Sequence, residues 1–129
     1  MATTETMFTI PVVRGISTTP AGGDTAQTLV GSDSGMIFIT HNTSNITYTL
    51  PSLVNGKGKI FWFMNGNTTS TLTITAPTTS MIANNLVTAT SSTCIADAGL
   101  WAMVVCDGTN YFCFSSGPTV ATAQSWTAS

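Results

Sequence analysis

Leu100 to Ser116 reads LWAMVVCDGTNYFCFSS, and its two apolar runs meet at Asp107-Gly108-Thr109-Asn110. An Asp-Gly pair between two such runs signals a hairpin, because glycine readily takes the positive φ that a tight turn demands. A turn symmetric about Gly108 and Thr109 sets Cys106 opposite Tyr111, Val105 opposite Phe112 and Val104 opposite Cys113. Side chains alternate across a strand. One face therefore carries Trp101, Met103, Val105, Phe112 and Phe114, and the other Ala102, Val104, Cys106, Tyr111 and Cys113. Both faces are apolar, whereas an antiparallel hairpin with one wet side reads apolar on one face only. The hairpin is expected to be covered twice, once by its own fold and once by another copy of the chain or a larger assembly.

Outward from this hairpin the chain sorts into two kinds of strand. Ile46–Leu50 and Leu72–Thr75 alternate an apolar face with a threonine face and are expected to meet water. Met36–Thr40 and Ile60–Met64 resemble the hairpin in being apolar on both sides. Central strands under a loop or in a tapered barrel explain the second kind; so does a subunit interface, which suits two-sided apolar surface in so short a chain. Ala26–Val30, Leu86–Ala89 and Thr93–Ala96 are further, weaker strands, and turns rich in Gly, Asn and Pro punctuate the series. No segment holds a helical period. The expected fold is all-β, an antiparallel β-sandwich or jelly-roll-like domain over residues 26–118. Residues 1–25 read as an N-terminal arm and connector, with Met7–Val13 a strand candidate that Pro11 confines to an edge, and residues 119–129 as a C-terminal tail.

Composition narrows the function classes. At 129 residues the chain is one domain, and only 6% of it is charged against about 25% in an average globular protein. Thr, Ser and Asn fill the gap, giving a neutral, hydroxyl-rich surface. Five acids against Arg14, Lys57 and Lys59 leave a net charge of −2, too few clustered cations for phosphate, so nucleic acid is not an expected partner. A membrane is not expected either, since the longest apolar run is Leu100–Cys106. The polar start Met1-Ala2-Thr3-Thr4-Glu5 does not read as a secretory signal. Three cysteines do not close a disulfide framework, and Cys106 and Cys113 fall diagonally on one hairpin face, too far apart for easy bridging. Buried free thiols made in a reducing cytoplasm are expected, with the sequons at Asn42, Asn45 and Asn67 unmodified.

From Ser34 to Ser116 the order of features resembles a β-structured module of tailed-bacteriophage virion proteins, found in head-decoration (cement) proteins and in head and tail fibres. The resemblance is carried by Ser34-Gly35-Met36-Ile37-Phe38, Ile46-Thr47-Tyr48-Thr49-Leu50-Pro51, Gly58-Lys59-Ile60-Phe61-Trp62-Phe63, Leu72-Thr73-Ile74-Thr75 and Trp101–Ser116 with Asp107-Gly108 at its turn. It implies a homotrimeric structural protein on the capsid surface of the virion, made in the host cytoplasm and partnered by the major capsid protein. The short chain favours a decoration protein; a fibre or a receptor- or carbohydrate-binding tip is the alternative.

Little catalytic chemistry is offered. His41 is the sole histidine, in a polar turn with no nucleophile elbow nearby. Cys94, Cys106, Cys113 and His41 lack the close cysteine pair of a zinc site and read as core thiols and a turn residue. Asp24, Asp33, Asp97 and Asp107 sit in turns without the alternation of a calcium loop, and Val54–Lys59 lacks the spacing of a phosphate cradle. Lys57 and Lys59 read as gatekeepers beside the apolar Ile60–Met64 strand. No enzyme and no cofactor are expected. Trp126 of the tail and Phe8, Ile10, Val12 and Val13 of the arm either pack back on their own domain or anchor into a neighbouring subunit, and these five are the expected assembly contacts.

Overall fold

The computed structural model describes residues 13–18, 25–40, 44–83, 88–94, 99–116 and 126–128, with backbone alone for 92–94, 127 and 128. The chain begins in a seven-stranded sheet with β1 (Gly15–Thr18), crosses to a five-stranded sheet for β2 (Ala26–Thr28) and returns for β3 (Met36–Thr40). It repeats the crossing with β4 (Ile46–Thr49), β5 (Ile60–Asn65) and β6 (Leu72–Thr75). β7 (Met81–Ile82) and β8 (Thr88–Ala89) then finish the far edge of the first sheet, and β9 (Ser91–Cys94) joins the second. The hairpin β10 (Trp101–Cys106) and β11 (Tyr111–Ser115) enters the first sheet, and β12 (Trp126–Ala128) ends the second. The strand orders are β1-β3-β5-β10-β11-β7-β8 and β12-β9-β6-β4-β2.

The all-β sandwich read from the sequence is the fold that forms, but it is not the antiparallel one expected: half of the strand pairings among the described residues are parallel. β1, β3 and β5 run parallel in the first sheet, as do β2, β4 and β6 in the second, and β7 runs parallel to β11. The reason is the winding. From β1 to β7 consecutive strands lie in opposite sheets, so β1, β3 and β5, like β2, β4 and β6, are a full circuit apart and point the same way. Antiparallel pairing appears where later segments close the stack: β5 with β10, β10 with β11, β7 with β8, and β6 and β12 with β9. The winding leaves a sequence trace. Ile46-Thr47-Tyr48-Thr49 lies in register on Leu72-Thr73-Ile74-Thr75, and each continues into an apolar residue and a proline.

Two boundaries move. The 1–25 arm gives way at Gly15, because β1 is a strand of the sheet, paired with β3 from Gly15–Met36 to Thr18–Ile39. Arg14 anchors it: its N–H donates to the Gly35 carbonyl, and its guanidinium donates to the carbonyls of Ser32 and Ser34. The 119–129 tail likewise ends in structure, since β12 pairs with β9 and so belongs to the five-stranded sheet.

The core fills the space between the sheets. Phe38 and Phe63 of the first sheet and Tyr48 of the second form a three-ring cluster with centroids 5.2–5.6 Å apart. Around it lie Ile46, Leu50, Phe61, Leu72, Ile74, Ala102 and Val104, all buried. Tyr111 ties the layers together: its hydroxyl donates to the Pro51 carbonyl at 2.7 Å, just past the end of β4. Burial holds the Tyr111 phenol pKa far above its ordinary value. Beside it is α1 (Leu53–Gly56), one helical turn capped by the Ser52 hydroxyl. A Cβ on Gly56 would collide with the Tyr111 hydroxyl, so only glycine fits there.

A buried polar corner turns the chain from one sheet to the other. Thr40 and Asn65 face each other in register; the Thr40 hydroxyl donates to Asn65 Oδ1 at 2.8 Å, and Asn65 Nδ2 donates to the Ser70 carbonyl at 2.9 Å. Asn65 Oδ1 also accepts from the Asn67 N–H, so this fully buried amide is used on both its ends.

Candidate functional site: the outer face of the seven-stranded sheet

The hairpin forms in the register that its turn dictates, with Cys106 on Tyr111, Val105 on Phe112 and Val104 on Cys113. Asp107 Oδ1 accepts the N–H groups of Thr109 and Asn110, each at 2.7 Å, and Gly108 adopts φ +97°. Those two backbone donors favour the charged form and hold the Asp107 carboxyl below its usual pKa, with the Lys57 charge helping. The register divides the faces. Ala102, Val104, Cys106, Tyr111 and Cys113 are buried in the sandwich, whereas Trp101 is 42% and Phe114 49% exposed, with Met103, Val105 and Phe112 half-buried.

The same division runs across the sheet. β5 turns Phe61, Phe63 and Asn65 inward and leaves Ile60, Trp62 and Met64 on the outside, alongside Trp101, Met103 and Val105 of β10. β3 adds Ile37 and Ile39 next to Trp62 and Met64, and β1 adds Ile16, which is 61% exposed, next to Ile37. Ile82 of β7 extends the face beyond Phe112. Among the described residues of the sheet no outward position carries a charge. At its centre Ile37, Trp62, Phe63, Met64 and Trp101 bound a shallow hollow of 220 Å³. Soluble monomers seldom leave so continuous an apolar surface uncovered.

The opposite surface has another character. β4 and β6 present Thr47, Thr49, Thr73 and Thr75 outward, in register with one another. The two kinds of strand seen in the sequence are thus the two sheets: the one-sided strands build the five-stranded sheet and the two-sided strands build the seven-stranded one. The described charged groups lie in loops. Arg14 clasps the turn after β2, Asp33 accepts the Val30 N–H, Asp107 closes the hairpin, and the Lys57 stem lies over Gly108.

Of the expected assembly contacts, Phe8, Ile10 and Val12 lie outside the described residues. Val13 is exposed ahead of β1. Trp126 is partly buried and packs against the core of its own chain, where β12 pairs with β9. The five residues named at the termini leave out the sheet face, although the two-sided strands already pointed to a covered surface. That face emerges once the inner half of each strand is assigned to the core.

Cys106 and Cys113 are buried free thiols, and the Cys106 thiol lies 3.8 Å from the Leu53 carbonyl. His41, Asp24, Asp97 and the Cys94 side chain lie outside what is described. Among the described residues no cluster of His, Cys, Asp or Glu is arranged to hold a metal ion, and no helix is long and apolar enough to cross a membrane. The sequence matches no protein-family model and no curated protein.

Proposed function

We propose that the protein is a structural component of a phage virion, a decoration protein that assembles as a homotrimer on the outer surface of the head and cements it without covalent bonds. The observation that carries this reading is the charge-free apolar outer face of the seven-stranded sheet, centred on Trp62, Trp101 and Phe114. Covering that face against other copies and the major capsid protein supplies the association energy, and trimeric attachment multiplies weak contacts through effective concentration. The resemblance of Ser34–Ser116 to virion β-modules supplies the setting. Exposed Trp101 invites comparison with sugar-binding surfaces, where a ring stacks on the substrate and neighbouring polar groups hold its hydroxyls. The hollow beside Trp101 is walled by apolar side chains only, which favours a protein partner.

The test is the solution mass of the purified chain, followed by co-sedimentation with empty heads of the phage that encodes it. A trimer that pellets with the shells supports the reading; a monomer that stays in the supernatant overturns it.

A further inference from the structure

The first circuit of the chain leaves an open end. Among the described residues, β1 and β2 are edge strands of their respective sheets. In the five-stranded sheet the Thr25 carbonyl accepts the Thr47 N–H, and the Leu29 N–H donates to the Thr49 carbonyl. Alternation then turns the N–H and C=O groups of Ala26 and Thr28 away from β4, toward the edge that carries no partner among the described residues. The side chains stop there too. Gln27, stacked on Tyr48, is only half-buried at an inward position, and Val30, just past β2, is 54% exposed.

The parallel stack beside this edge has a sequence rule. Tyr48-Thr49-Leu50-Pro51 lies on Ile74-Thr75-Ala76-Pro77, and Gln27-Thr28-Leu29-Val30 lies on the former, with Thr28, Thr49 and Thr75 in one column. The same pattern of large apolar residue, threonine, apolar residue and proline occurs once more, at Phe8-Thr9-Ile10-Pro11. Its position in the chain fits. Every strand of the parallel stack precedes a strand of the seven-stranded sheet, and Ile10 precedes Gly15 by the same number of residues as Ala76 precedes Met81. Proline suits the outermost strand, because the N–H it lacks at position 11 would face solvent.

We propose that the open edge of β2 is the docking site for Met7–Pro11 of the same chain, added in parallel with Thr9 beside Thr28. In this register the Phe8 and Ile10 N–H groups reach the Ala26 and Thr28 carbonyls, and Phe8 and Ile10 close the core over Gln27 and Leu29. The segment then blunts an edge that is otherwise open to strand addition by other chains. This assignment stands apart from the reading of the outer face. It removes Phe8 and Ile10 from the assembly contacts and leaves assembly to the sheet.

Amide hydrogen exchange on the full-length chain, at a concentration where it is monomeric, tests it. The Thr28 N–H then donates to the Phe8 carbonyl, and the Thr28 amide is expected to exchange at least ~100-fold slower than free peptide. In full-length Phe8→Asp it returns to near the free rate while Leu29, bonded to β4, stays protected. Fast exchange at Thr28 in the native chain overturns the proposal, as does protection that Phe8→Asp leaves intact. If Phe8→Asp unfolds the chain, Thr9→Cys with Thr28→Cys decides: an oxidised link within one chain supports the docking, and links only between chains, or none, refute it. Solution mass reads the outer-face proposal and amide exchange reads this one, so each can fail alone.

Discussion

Replacing Phe114 with aspartate is the sharpest probe of the outer face. Phe114 is 49% exposed, and a phenylalanine offers roughly 200 Å², so about 100 Å² remains to be covered on assembly. At about 25 cal/mol per Å² that burial contributes about 2.5 kcal/mol per copy. Each such loss weakens a contact by roughly 60-fold, and a desolvated, unpaired carboxylate adds several kcal/mol more. Phe114→Asp is therefore expected to raise the concentration at which the chain assembles by at least ~100-fold. The folded monomer should lose only about 1 kcal/mol, since the ring already stands half in water. Sedimentation velocity from ~1 to ~100 µM, with thermal melts alongside, separates the two effects. Thr47→Asp, on the threonine face, is the control and should leave the mass unchanged. A native chain that stays monomeric throughout, or two variants that behave alike, would refute the reasoning.

Three further outcomes follow from the interior and the turns. Tyr111→Phe removes the hydroxyl that meets the Pro51 carbonyl and leaves that acceptor buried, lowering stability by about 1–3 kcal/mol in urea unfolding at an unchanged m-value. Asn65→Ala strips partners from the Thr40 hydroxyl, the Asn67 N–H and the Ser70 carbonyl together, and is expected to cost about 2–4 kcal/mol by the same measurement. Asp107 is titrated by pH: its folded pKa is lowered, so its contribution is full above the unfolded value and fades as pH falls through the folded one. The gap in melting temperature between the native chain and Asp107→Asn should hold steady above about pH 5 and change only below about pH 4.

How much was legible in the sequence depended on how local the information was. The hairpin register could be read because Asp107-Gly108 fixes it within four residues, and alternation then names both faces. The parallel order of β1, β3 and β5 could not be read the same way. Those strands meet only after a full circuit through the other sheet, and no turn between neighbours encodes their pairing. The column Thr28, Thr49 and Thr75 was the available cue, a recurrence spaced by more than twenty residues that alternation does not weigh. β1 escaped notice because Gly15-Ile16-Ser17-Thr18 is short and mostly small or polar; backbone bonds and the Arg14 clasp make it a strand. The outer face was half legible. Trp101 and Phe114 were set apart from Val104 and Tyr111 at once, whereas joining them to Trp62, Met64 and Ile37 required the strand order.

The contrast between the two surfaces gives the molecule a polarity. A layer of these sandwiches laid down by the greasy side turns ranks of Thr47, Thr49, Thr73 and Thr75 to the medium. Hydroxyls and methyl groups without ions bind water yet offer salt and charged colloids almost nothing to grip. A particle clothed this way should keep its coat through wide swings of ionic strength.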